Sequence, residues 1–82
     1  MDLNEARFKL NKDIPIPLYY QVKRMVLNEI ANGNLKLGDK LPAEIEFCES
    51  LQISRPTVRL ALNELVAEGI LVRKKRSGTF VA

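Results

Sequence analysis

Ser54 to Glu68 reads SRPTVRLALNELVAE, and the fold turns on how this stretch is read. Val58, Ala61, Leu62 and Leu65 recur at the i, i+3, i+4, i+7 spacing of one apolar helix face. Ser54 supplies a hydroxyl where a helix start needs an N-cap acceptor. Pro56 falls in the first turn, where a missing N–H costs little. Gly69 follows as a stop signal. Arg55 and Arg59 are four apart and share a second face near the helix start. An apolar back with two arginines at the N-terminal end suits insertion into a DNA groove.

Upstream, Ala43 to Leu51 reads as a short helix after Pro42. Glu44 and Glu46 lie in its first turn, where acids suit the helix dipole. Phe47, Cys48 and Leu51 form its inward face. Gln52-Ile53 joins it to Ser54, a gap of helix-turn-helix length, although the glycine common in such turns is missing. Before that, Leu18 to Asn32 reads as a first helix with the stripe Tyr19, Val22, Val26, Ile30. Asn32-Gly33 carries C-cap chemistry. Tyr19 is assigned to the core, and Tyr20 is left open between core and phosphate contact. Leu35 to Leu41 is a connector turning at Gly38-Asp39, with Lys40-Leu41 a candidate short strand. Residues 1–16 show no sustained period, and Pro15 and Pro17 break any element. This stretch reads as an arm, partly disordered or packed on a neighbour, most simply a loose terminus.

After Gly69 the period changes. Ile70 to Val72 is strand-like, Arg73-Lys74-Lys75-Arg76 is a run of four cations, Ser77-Gly78 signals a turn, and Thr79 to Val81 is strand-like again. The pattern is a hairpin with a basic tip. A run of cations on its own describes a solvated loop. Its place directly after the candidate reading helix, and the glycine beside it, make the hairpin a candidate wing. If strand alternation continued along the run, Arg73 and Lys75 would face one side and Lys74 and Arg76 the other, unless the turn begins early.

With 82 residues the chain makes one small domain. The net charge of +3 is unevenly spread. Residues 1–52 carry seven Lys/Arg against eight Asp/Glu, whereas residues 53–82 carry six against two. That C-terminal excess points to a polyanion as partner. No long apolar span or lipidation signal favours a membrane instead. The single cysteine, Cys48, permits no internal disulfide and reads as a packing residue. No secretory signal is recognisable, so the cytoplasm is the expected compartment. There is no histidine, which removes Cys/His metal clusters and His-dependent catalysis. No phosphate loop or nucleophile–base pair is visible. No enzymatic activity, cofactor or metal is expected.

The strings PLYYQV at 17–22, GDKLPAE at 38–44, SRPTVRLALNEL at 54–65, EGIL at 68–71 and SGTFVA at 77–82 together resemble the N-terminal DNA-binding domain of the GntR family of bacterial transcription regulators. The opening PLYYQV most resembles its HutC-like branch. The resemblance implies an α+β, mainly α, winged helix-turn-helix over 17–82: three helices and a small antiparallel hairpin, with 1–16 as an arm. It implies sequence-specific binding of a palindromic double-stranded operator as a homodimer, formed on DNA or through a further C-terminal domain, in a repressor or activator, with repressor favoured. The third helix would enter the major groove and the wing the minor groove. A small-molecule effector would bind a further domain that this stretch does not contain.

Carried over by position, Arg55, Thr57 and Arg59 match the recognition helix, Glu44 the acidic residue opening the second helix, and Gly78 the wing-tip glycine. With the cap Ser54 and the wing residues Lys74, Arg76 and Ser77, these form the candidate DNA-binding set. Three departures stand out. Ile45 replaces a common arginine, Ala43 replaces a frequent serine and so loses a side-chain cap, and Arg76 stands near a frequent second glycine. The competing possibility is a winged helix that docks proteins without touching DNA, for which the outward Leu60 would speak.

Overall fold

The computed structural model describes all 82 residues. Three α-helices and one hairpin follow a short 3-10 turn at Ala6–Phe8. Helix α1 spans Leu18–Ala31, α2 Glu44–Leu51 and α3 Arg55–Ala67; β1 covers Leu71–Lys74 and β2 Gly78–Val81. The strands pair antiparallel, Leu71 opposite Val81 and Lys74 opposite Gly78. A bridge from Lys40 to Phe80 adds a rung to the sheet, so the candidate strand in the connector shrinks to one residue.

Helix α3 forms as its pattern predicts. Val58, Ala61, Leu62 and Leu65 are all buried. Ser54 Oγ accepts the Thr57 amide at 3.3 Å, and the helix closes at Glu68 before Gly69, whose φ is +78°. This apolar face packs against α1, α2 and β1. The core it joins holds Val22 and Val26 of α1, Phe47 and Leu51 of α2, Leu35 and Leu41 of the connector, and Leu71 and Val81 of the hairpin. In so small a core each leucine matters: truncation to alanine costs about 2–5 kcal/mol at a buried site.

The turn between α2 and α3 has no glycine, and Gln52 takes the left-handed conformation there, at φ 53° and ψ 54°. Helix α2 starts without a side-chain cap from Ala43. Instead Glu46 reaches back, accepting the Ala43 amide at 3.4 Å. Cys48 is half-buried against the core, as is Tyr19, whereas Tyr20 is exposed.

The N-terminal stretch departs from a loose terminus. Leu3 and Phe8 are buried in the common core. Arg7 forks onto Glu29 of α1, donating to Oε2 at 2.6 Å and to Oε1 at 3.0 Å. Gln21 of α1 ties Asn11 through both backbone groups, and Lys12 donates to the Gln52 carbonyl at 3.0 Å. The apolar residues here are too few for a period, so only their partners reveal the packing. Glu29 was equally invisible: a glutamate on an otherwise apolar helix face reads as solvated, yet it is 2% exposed.

Candidate nucleic-acid interface

Three elements meet at one carboxylate. Glu44 opens α2, and its side chain is only 17% exposed, deeper than its first-turn position suggests. Its Oε1 accepts from Arg59 Nη2 at 3.4 Å and lies 4.0 Å from Arg55 Nη2. Its Oε2 accepts from Arg73 Nη1 of the wing at 3.3 Å. The second Arg73 nitrogen, Nη2, donates to Asn63 Oδ1 on α3 at 2.8 Å. Three guanidinium groups around one carboxylate leave the cluster with two positive charges in excess. Arg55 and Arg59 stay more than half exposed, at 59% and 53% of the side chain. Long contacts to a shared oxygen hold such arms loosely, because exposed ion pairs contribute about 0–1 kcal/mol each.

Around this cluster the N-terminus of α3 presents its own groups. Ser54 Oγ and Thr57 Oγ1 lie 2.7 Å apart, and Ser54 also takes the Thr57 amide. Thr57 is therefore engaged in the cap. The wing begins beside β1. Lys74 places its ammonium 4.9 Å from the centroid of the Phe80 ring. The Ser77 amide donates back to the Lys74 carbonyl at 3.0 Å, so the turn starts directly after Lys74. This ends strand alternation early, and the run of cations does not sort into two facing pairs. Arg76 occupies the third place of that turn with φ +65°, where type II turns take glycine. Gly78, at φ +123°, starts β2. A Cβ at Gly78 would stand 2.9 Å from the Lys40 Cε.

The sequence-derived residues fall into two groups, and only Arg73 of the wing touches the first. Glu44, Ser54, Arg55, Thr57 and Arg59 gather at the α2–α3 junction, and Lys74, Arg76, Ser77 and Gly78 make the wing tip. Two neighbours were missed. Arg73 lay inside the run of cations but without an assigned partner. Lys40 lay in the GDKLPAE string, read for its turn and not for the side chain that crosses the wing glycine. Ile45 stands exposed at the place noted for a common arginine, as does Leu60 on α3.

Residues 18–81 match the family described as "Bacterial regulatory proteins, gntR family". The chain belongs to the GntR family. Among its relatives, the HTH-type transcriptional repressor NagR of Bacillus subtilis (strain 168) is 49% identical over 73 residues, which is 89% of this chain and 30% of that protein. The histidine utilization repressor of Pseudomonas putida is 46% identical over 68 residues, 83% of this chain and 27% of that protein. The chain therefore spans less than a third of these relatives' length. A crystal structure of AraR(DBD) in complex with operator ORE1 superposes at a TM-score of 0.80 with 36% identity, covering 89% of both chains. YtrA from Sulfolobus acidocaldarius, a GntR-family transcription factor, gives 0.83 with 38% identity over 89% of this chain and 77% of that one. The three helices and hairpin are those of a GntR-type winged-helix DNA-binding domain. The protein-docking alternative finds no favour in these likenesses.

Proposed function

We propose that residues 17–82 bind a palindromic operator as the winged helix-turn-helix of a bacterial GntR-type repressor, with 1–16 as a leading arm. The observation that carries this is the Glu44 cluster: three arginines from α3 and the wing, more than one carboxylate can neutralise, on the face that also bears the α3 N-terminus. Helix α3 enters the major groove, where Arg55 and Arg59 offer forked donors to guanine O6 and N7. Glu44 aims those forks. Ser54 and Thr57 meet the backbone at the helix start, and Lys74 meets phosphate. Arg76, Ser77 and Gly78 approach the minor groove, whose negative potential attracts arginine. Binding as a homodimer matches the two-fold symmetry of a palindrome. A small-molecule effector would act through a part of a longer protein outside these residues. The role is regulatory and not enzymatic, calls for no cofactor or metal, and is exercised in the cytoplasm. No helix here is long and apolar enough to cross a membrane.

Mobility shift tests this directly. The parent chain is expected to retard duplex DNA with an affinity that falls steeply with salt. Arg59→Ala is expected to lose about 1–3 kcal/mol of discrimination between a selected duplex and a scrambled one. Absence of any shift at low salt would remove DNA binding, and equal weakening on both duplexes would reduce Arg59 to a phosphate contact.

A further inference from the structure

Arg73 is not needed as a DNA contact in the function above, yet it is the best-held arginine on that face. It is the third residue of β1, opposite Thr79 in the hairpin. Its guanidinium spans two acceptors on two different helices, Glu44 Oε2 at the start of α2 and Asn63 Oδ1 on the outward side of α3. Its side chain is 37% exposed, well below Arg55 and Arg59. A two-stranded hairpin is marginal by itself and takes its orientation from what it packs on. On the buried side Leu71 and Val81 anchor the base of the hairpin in the core. On the exposed side the Arg73 fork joins the middle of β1 to both helices at once. By filling Glu44 Oε2 it also leaves Oε1 as the oxygen that Arg55 and Arg59 approach.

We propose that Arg73 is a positioning residue that fastens the wing to α2 and α3, so that the reading helix and the wing tip meet DNA at a fixed separation. The functional half of this inference rests on the DNA-binding role proposed above. Arginine suits such a fastening because its planar fork reaches two acceptors in fixed geometry, whereas lysine carries one compact charge. Lysine at this position would keep the charge and lose the span.

The test uses the whole 82-residue chain with Arg73→Lys, Arg73→Ala and Asn63→Ala. In the free protein, backbone 15N relaxation of residues 74–78 reads the order of the wing. Both Arg73 variants are expected to loosen it with unchanged helix content by circular dichroism. Asn63→Ala, on an exposed site that cannot threaten the core, loosens it less. On a duplex recovered from a randomised library by the parent chain, Arg73→Lys and Arg73→Ala are both expected to bind about fivefold more weakly. Arg73→Lys should keep the salt slope of the parent. A wing as ordered in both Arg73 variants as in the parent overturns the proposal. So does an Arg73→Lys chain that binds like the parent while Arg73→Ala loses about one unit of salt slope, since that is the behaviour of a phosphate contact. If the parent recovers no duplex, the DNA-binding role falls, and the relaxation data alone decide whether Arg73 fastens the wing.

Discussion

Glu29 and Glu44 are both glutamates met by arginine, and they sit at opposite ends of the same logic. Glu29 is buried on α1 and its oxygens are used up. Arg7 forks across both, and Asn34 Nδ2 adds a contact to Oε2 at 3.3 Å. No buried side-chain polar atom in the protein lacks a partner. The bond to Glu29 first, and to Glu5 second, holds the Arg7 guanidinium above its ordinary value. That carboxylate is closed: both its oxygens are buried and taken, by Arg7 and by Asn34, while Arg7 itself stays half exposed and also reaches Glu5. Glu44 is the reverse, with more guanidinium groups than oxygens and contacts of 3.3 Å and longer. A closed pair locks structure, because breaking it strands a charge away from water. An oversubscribed carboxylate holds its cations in place while leaving them free to exchange for another anion. Glu29 is spent entirely on holding structure, whereas Glu44 gives one oxygen to Arg73 and leaves Arg55 and Arg59 loosely held on the other.

The comparison breaks most visibly at Glu29. Glu29→Ala is expected to cost about 1–3 kcal/mol of unfolding free energy, because it removes a buried group whose bonds dock the N-terminal stretch. Urea unfolding measures this, and affinity for DNA at a temperature where the chain is folded should hardly change. Arg7→Ala should move stability in the same direction. If neither substitution shifts the midpoint, the closed pair is ornamental and the contrast with Glu44 fails.

At the other carboxylate the expected pattern inverts. Glu44→Gln keeps the side chain's shape and should lower the unfolding free energy by about 1 kcal/mol at most, since its ion pairs to exposed arginines are weak. Its effect belongs in binding. Loss of the negative charge raises affinity for unrelated duplexes, and loss of the aimed guanidinium forks narrows the preference for the selected one by about 1 kcal/mol. Competition binding with both duplexes reads the ratio. A widened ratio would show that Glu44 opposes recognition instead of shaping it.

Arg76 sharpens the contrast within one residue. A non-glycine residue at positive φ costs roughly 1–2 kcal/mol relative to ordinary backbone. Arg76→Gly is therefore expected to stabilise the chain by up to about 1 kcal/mol, part of the relief being offset by the freer unfolded chain. The same change should weaken DNA binding by removing a wing-tip cation. Opposite signs in unfolding and in binding would mark strain kept for function. A loss of stability would show that the arginine side chain supports the turn.

The smallest expected effect lies on a third ion pair, away from both sites. Lys23 of α1 donates to Glu68 and, at 3.1 Å, to Glu64, joining α1 to the end of α3. Those hydrogen bonds, Glu68 first, raise the Lys23 ammonium above the ordinary lysine value of 10.5. A raised value in the folded chain means that the tie is fully present below pH 10.5 and is lost as pH climbs through the folded value. The gap in urea midpoint between the parent and Lys23→Met should therefore be open at about pH 8 and narrow as the pH climbs beyond the ordinary lysine value. A constant gap would assign the effect to packing of the lysine stem.

Much of this molecule is determined by short-range chemistry, and there the amino-acid sequence speaks for itself. The apolar period of Val58 to Leu65, the Ser54 cap and the Gly69 stop each act within one or two helical turns, so α3 forms where its pattern places it. The hairpin follows from a change of period; its turn falls at residues 75–77, just before the expected Ser77-Gly78, and Gly78 opens the second strand at a φ that favours glycine. The candidate DNA-binding residues are nominated from the same local motifs, since they lie within short strings of the chain. What only the tertiary structure decided is where charges find partners. Arg7 meets Glu29 across 22 residues, and Arg73 meets Glu44 across 29. Neither spacing carries a period. A glutamate in a helix sequence looks solvated until the fold brings an arginine to it, and an N-terminal stretch looks loose until Leu3 and Phe8 find a core to enter. The αL turns at Gln52 and Arg76 also went unforeseen, because the local preference at such positions is for glycine.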